Sequence, residues 1–293
     1  MAARVQNEAA GLRDISPVHV AQVFGMRRSG NHAIINWLMR NAPDAATGGL
    51  FYNNCRPGTD PTRSFAALDV YGADFSLIPA RKIPLDRRRP MAGAQPLLLV
   101  SYEDVMPRPA DKPLKAGKGL ARVDSTIVIY RSFLNWAASL LAKIQKNPGY
   151  GPVERMRIMF RAMQTYRQGL ERLAEPQVTG ICYDSWAASA ETRAALLDRL
   201  GLPCRDNGLG EVQRFGGGSS FSSTAKPEAL ETLSRADQMA QDPEFQVMLW
   251  SVAHDAAYVE ALIPHFPQDA ERLARLAETA STRITLPPVE PQP

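Results

Sequence analysis

Four short runs of strand-forming residues set the limits on what this chain can fold into. They are Val18 to Phe24, Leu97 to Val100, Thr126 to Tyr130 and Val178 to Tyr183. Each has strand length and is largely apolar, although His19 and Gln22 interrupt the first. A strand apolar on both faces belongs in a parallel sheet covered on both sides. Helical spacing falls between and after these runs, over 32–40, 133–144, 152–174 and 188–200. The last stops at Gly201, with Pro203 just beyond, as a helix end should. The alternation predicts an α/β fold with a central parallel sheet flanked by helices. Ligands of such sheets sit beyond the carboxyl ends of the strands. Residues 25–32, the polar group Ser101 to Asp104, Arg131 and Tyr183 are therefore expected along one edge.

The 293 residues are 45% hydrophobic, enough to bury one large core or two modest ones. Residues 1–16 read as a flexible leader, 17–280 as one domain and 281–293 as a Pro-rich tail. Within the domain, 41–95 is rich in Gly, Pro, Asp and Arg and reads as long loops with short elements. Phe51, Tyr52, Asn53, Asn54 and the run RKIPLDRRRP are expected to line or cover the acceptor side of a site. No apolar run reaches the roughly 18 residues of a membrane span, and the N-terminus lacks a signal-peptide core, so the cytoplasm is the expected location. The three cysteines, Cys55, Cys182 and Cys204, form no metal-binding or disulfide pattern. A net charge of +4 suits an anionic ligand and falls short of a nucleic-acid footprint. The Met/aromatic stripe of 152–174 reads as core.

The most informative stretch is FGMRRSGNHAIINWL, residues 24–38. It carries a strand into a helix through Gly25, Arg27, Arg28, Ser29, Gly30, Asn31 and His32. Backbone N–H groups at a helix start lack helical partners and lie at the positive end of the helix dipole, so an anion binds well there. The spacing from Gly25 to Gly30 is that of a Walker A loop, but Asn31 and His32 stand in place of its Lys and Ser/Thr. The loop thus reads as a phosphate cradle without the usual magnesium ligand.

GMRRSGNHAIINWL resembles the 5′-phosphosulfate loop of the sulfotransferases that use 3′-phosphoadenosine-5′-phosphosulfate. Arg28, Ser29 and Gly30 match the family's core; Asn31 and His32 replace two threonines. STIVIYRSFLNWAASLL resembles the family's 3′-phosphate segment, with Arg131 at a strand tip and Ser139 eight residues on. ICYDSWAASAETRAALLDRLGLP is similar to the family's adenine-side strand and helix, which implies that Tyr183 lies by the adenine. GGGSSFSS stands where the family has a late Gly-rich loop, and implies Arg214, Gly217, Gly218 and Ser219 as further 3′-phosphate contacts. The resemblance implies a P-loop NTPase-like sulfotransferase fold, 3′-phosphoadenosine-5′-phosphosulfate as donor and no metal. It also implies a hydroxyl or amine of a small-molecule or carbohydrate acceptor, with no nucleic-acid partner and an oligomer open.

Arg28 is then expected to stabilise the charge that develops on the bridging oxygen. A general base must take the acceptor's proton. Glu103 is the first candidate, Asp104 the next and His32 the third. A carboxylate near two arginines would be a weak base unless burial offsets their pull. Two other readings stay open: an ATP-dependent P-loop phosphotransferase, and a non-catalytic nucleotide-binding protein of the same fold.

Overall fold

A computed structural model describes residues 15–79, 83–107, 114–116, 119–210 and 235–279. Six strands form one sheet in the order β3-β2-β4-β1-β7-β8. They are β1 (His19–Gly25), β2 (Gly49–Asn53), β3 (Ala67–Tyr71), β4 (Leu97–Glu103), β7 (Ser125–Tyr130) and β8 (Val178–Cys182). The short strands β5 (Leu114–Ala116) and β6 (Gly119–Ala121) pair as a separate ribbon. Every pairing in the main sheet is parallel except β2 with the edge strand β3.

The helices used below are α1 (Asn31–Arg40), α2 (Phe133–Gln145), α3 (Pro152–Arg172), α4 (Tyr183–Ala188) and α5 (Ala190–Arg199). After these come α6 (Arg235–Gln238), α7 (Pro243–Ala253), α8 (Ala256–Leu262) and α9 (Pro267–Thr279). One face of the sheet packs Val23, Phe51, Leu99 and Ile129 against Ile34, Trp37 and Leu38 of α1 and against Trp186 and Leu197. The other face buries Val20, Phe24, Leu50, Val100 and Val128. A third apolar cluster joins α2 and α3 to the C-terminal helices through Trp136, Tyr166, Phe245, Tyr258 and Leu273.

The structure refines several sequence expectations. The short elements among the loops of 41–95 are β2, β3, the helical turns Pro61–Ser64 and Leu85–Arg88, and a 3-10 turn, Arg89–Ala92. Phe51 and Tyr52 are 1% and 0% exposed, so they belong to the core and cannot line an acceptor site. Phe51 packs into the cluster on the α1 side of the sheet and Leu50 and Tyr52 into the cluster on the other face, which is why they are buried; Asn53 ends the strand and Asn54 follows it. The edge pair β2–β3 is antiparallel, so the sheet is mostly parallel with one antiparallel edge strand. β4 runs on through Ser101, Tyr102 and Glu103 instead of stopping at Val100. The stripe of α3 is core where Met159, Met163, Tyr166 and Leu170 lie, whereas Phe160 is exposed.

Chain direction locates the site. β1 leads through α1 to β2 on its left, and β7 leads through α2 and α3 to β8 on its right. β1 and β7 are hydrogen-bonded neighbours whose connections diverge. A crevice opens where connections part in this way, at the carboxyl ends of the strands. The register sets Gly25 beside Glu103 on one side and Ile129 on the other.

Candidate active site

The loop after β1 is held from three sides. Gly30 adopts φ 89° and Arg28 φ 73°, both left-handed. A Cβ on Gly30 would meet the Tyr183 ring at 2.1 Å, so only glycine lets that ring lie on the loop. Asn31 packs so closely on Gly25 that a Cβ there would meet its Oδ1 at 2.3 Å, and its Nδ2 donates to the Met26 carbonyl at 3.2 Å. Asp104 accepts from the Arg27 backbone N–H at 2.9 Å and pairs with the Arg27 guanidinium. The Arg27 carbonyl accepts from Trp136 Nε1 at 3.0 Å. These contacts fix a strained loop; left-handed backbone at a side-chain-bearing residue costs about 1–2 kcal/mol.

The strained loop aims Arg28 at α2. Its Nε donates to Ser139 Oγ at 3.3 Å, and Arg235 Nη1 donates to the same oxygen at 3.0 Å. Ser139 is fully buried. Arg131, at the tip of β7, lies under the Tyr183 ring with 5.3 Å from guanidinium carbon to ring centroid. Asp184 reaches Arg131 at 3.5 Å and accepts from the Ser132 N–H at 2.6 Å. Asp269 of α9 accepts from Ser132 Oγ at 2.8 Å and from the Leu134 N–H at 3.2 Å. Two carboxylates thus hold the backbone that carries Arg131.

Burial, then repulsion by Arg131, lowers the pKa of Arg28. Arg235 is pushed down to about 10 by burial first and then by Arg131 and Arg28. Two guanidinia on one hydroxyl, with a third close enough to repel both, are relieved of that repulsion by an anion of charge −2. Ser29 Oγ is fully buried with no hydrogen-bond partner among the described residues, the kind of orphan that a phosphate oxygen would satisfy. On both counts the residues suit a phosphorylated ligand.

Glu103 lies at the β4 end of the same edge. Burial raises its pKa, against the pull of His32, Arg27 and a hydrogen bond to Asn31. Burial therefore outweighs the pull of His32 and Arg27. His32 stands beside it, edge-on to Phe51 with 6.4 Å between ring centroids.

Of the sequence-chosen residues, the structure brings Arg28, Ser29, Gly30, Arg131, Ser139 and Tyr183 together, with Glu103, Asn31 and His32 adjoining. Arg27 and Asp104 bind each other, so Asp104 anchors the loop through an ion pair. Arg214, Gly217, Gly218 and Ser219 lie outside the described residues. Sequence reasoning missed Arg235, which sits in SRADQ with no strand or glycine to mark it. It missed Trp136 and Asp269 for the same reason. Asp184 stands directly after Tyr183 and shared its signal.

No protein-family model and no curated protein sequence matches the chain. Among solved structures, the mouse sulfotransferase SULT7A1 complexed with PAP is similar over 93% of this chain and 94% of that one, with a TM-score of 0.42 and 12% identity. At that distance the functional conclusion rests on the site's own geometry.

Proposed function

We propose that the protein is a sulfotransferase that carries the sulfuryl group of 3′-phosphoadenosine-5′-phosphosulfate to a hydroxyl of a small-molecule or carbohydrate acceptor. One observation carries this reading. Ser139 Oγ receives both Arg28 from the loop after β1 and Arg235 from α6, with Arg131 alongside. The loop after β1 and the tip of β7 form one continuous cationic floor, suited to a nucleotide with two anionic ends. Arg131, Ser139 and Arg235 hold the 3′-phosphate, Tyr183 covers the adenine, and Ser29, Gly30 and Arg28 hold the 5′ end.

In the transfer, a bond forms between the acceptor oxygen and sulfur as the bond from sulfur to the 5′-phosphate oxygen breaks. Arg28 and the loop N–H groups receive the charge left on that oxygen. Glu103 takes the acceptor's proton. The magnesium-dependent phosphotransferase reading is disfavoured because Asp104, a carboxylate placed to hold a metal, is committed to Arg27.

The test is sulfuryl transfer to an acceptor panel in the presence of EDTA, paired with binding of adenosine 3′,5′-bisphosphate and adenosine 5′-phosphate. Arg131→Ala, Ser139→Ala and Arg235→Ala should each weaken the bisphosphate at least tenfold more than the monophosphate. Equal losses for both nucleotides would remove the 3′-phosphate assignment. Absence of sulfuryl transfer, with ATP consumed in magnesium and not in EDTA, would favour the rival.

A further inference from the structure

The anchoring of Arg27 to Asp104 leaves one side of the phosphate loop facing a second, distinct hollow. A cleft of about 390 Å³ opens there between the loop, the end of α2 and the first three turns of α3. Its charged lining is Arg27, Arg157, Arg161 and Glu154; its apolar lining is Ile144, Tyr150 and Ile158. Three of the four charged side chains are cationic. Glu154 pairs with Arg157 at 2.9 Å and Asp104 with Arg27, while Arg161 has no ion-pair partner among the described residues.

The arrangement does little for the fold. Arg157 and Arg161 are exposed and stand four residues apart on α3, a spacing at which like charges repel by about 0.2–0.5 kcal/mol. The turn that carries Tyr150 is pinned by Arg155, whose guanidinium donates to the Tyr150 carbonyl and pairs with Glu244. The cleft therefore has a fixed apolar wall and a cationic rim. Arg27 lines the cleft, precedes Arg28 in the loop and lies near enough to Glu103 to act on its charge, so the cleft borders the proposed base through this one residue.

We propose that this cleft holds the acceptor, and that the acceptor is itself an anion: a hydroxyl-bearing molecule whose carboxylate or sulfate is gripped by Arg157 and Arg161 while its ring lies on Tyr150 and the two isoleucines. The proposal rests on the sulfotransferase reading and specifies its substrate class. Guanidinium forks match planar carboxylates and sulfates in two-bond geometry, whereas a neutral acceptor needs no cationic rim.

The experiment uses the full chain saturated with adenosine 3′,5′-bisphosphate, whose own binding is read first by thermal shift. Two matched pairs are then titrated by calorimetry. One is 4-nitrophenyl β-glucuronide against 4-nitrophenyl β-glucoside; the other is 4-hydroxyphenylacetate against 2-(4-hydroxyphenyl)ethanol. At least one acid should bind about tenfold more tightly than its neutral twin. Arg157→Glu/Arg161→Glu should erase that preference while leaving the bisphosphate shift intact, since both side chains are exposed. If the bisphosphate binds and neither acid outbinds its twin, or the double variant keeps the preference, the anionic-acceptor proposal is overturned and the nucleotide reading stands. If the bisphosphate itself gives no shift, both fall.

Discussion

Arg28 is the residue on which local strain and proposed chemistry meet. Its φ of 73° is unfavourable for any side chain, yet it places Nε on Ser139. Glycine accepts this backbone without penalty and alanine does not. Arg28→Gly and Arg28→Ala should therefore both abolish transfer, while the glycine variant is the more stable by about 1 kcal/mol in urea unfolding. Equal stability would mean that the loop relaxes once the side chain is gone. Glu103 carries the opposite tension. Because burial raises its pKa in the folded chain, its protonated form is favoured there. Its contribution to stability is present below the unfolded value of 4.5 and is lost as pH rises through the raised folded value. Glu103→Gln should thus be more stable than the parent at pH 7, by about 2 °C in Tm, with the gain vanishing near pH 4. The same substitution should remove the acid limb of the transfer pH profile, which in the parent lies above the ordinary glutamate range. A variant that unfolds earlier at pH 7 would deny the buried base.

At the scale of elements, α2 joins the two halves of the site. Trp136 stacks on Tyr166 at 4.6 Å between ring centroids and donates its indole N–H to the Arg27 carbonyl. Trp136→Phe keeps most of the stacking and deletes that bond, leaving the carbonyl without its partner. The expected cost is about 1–2 kcal/mol, with a rise in KM for the donor larger than the fall in kcat. An unchanged donor KM would show that Asp104 alone holds the loop. The elements themselves were mostly legible in the sequence, because β1, β7 and β8 are apolar on both faces and α1, α2 and α3 carry clean helical spacing. β2 was not. GLFYN is short, sits among turn residues and is buried by apolar clusters on both faces of the sheet, which nothing local announces. The strand-tip residues Arg28, Arg131 and Tyr183 could be read because a parallel sheet brings its carboxyl ends together. Arg235 and Asp269 could not, since they enter the site from helices that pack through tertiary contacts alone.

Across the whole molecule, the site is where the sheet and the C-terminal helices are joined. Asp269 ties α9 to the tip of β7, and Arg235 of α6 inserts its guanidinium beside Ser139. The C-terminal helices thus deliver one cation into a place already holding two. That arrangement opposes folding of the ligand-free chain, because a buried guanidinium pushed down to about 10 is one the fold holds against desolvation and repulsion. Replacing it with an apolar side chain of similar length removes the penalty and leaves Arg28 to satisfy Ser139. Arg235→Met should accordingly raise Tm by about 3 °C without nucleotide. Adenosine 3′,5′-bisphosphate at a hundred times its Kd should stabilise the parent by about 2.7 kcal/mol, and the variant, at the same concentration, by much less. The two effects have opposite signs on one residue, so a general packing defect cannot imitate them: a defect lowers both values. If Arg235→Met instead loses stability without ligand and keeps the full nucleotide shift, Arg235 is a strut of the helical layer and the phosphate is held from the sheet side alone.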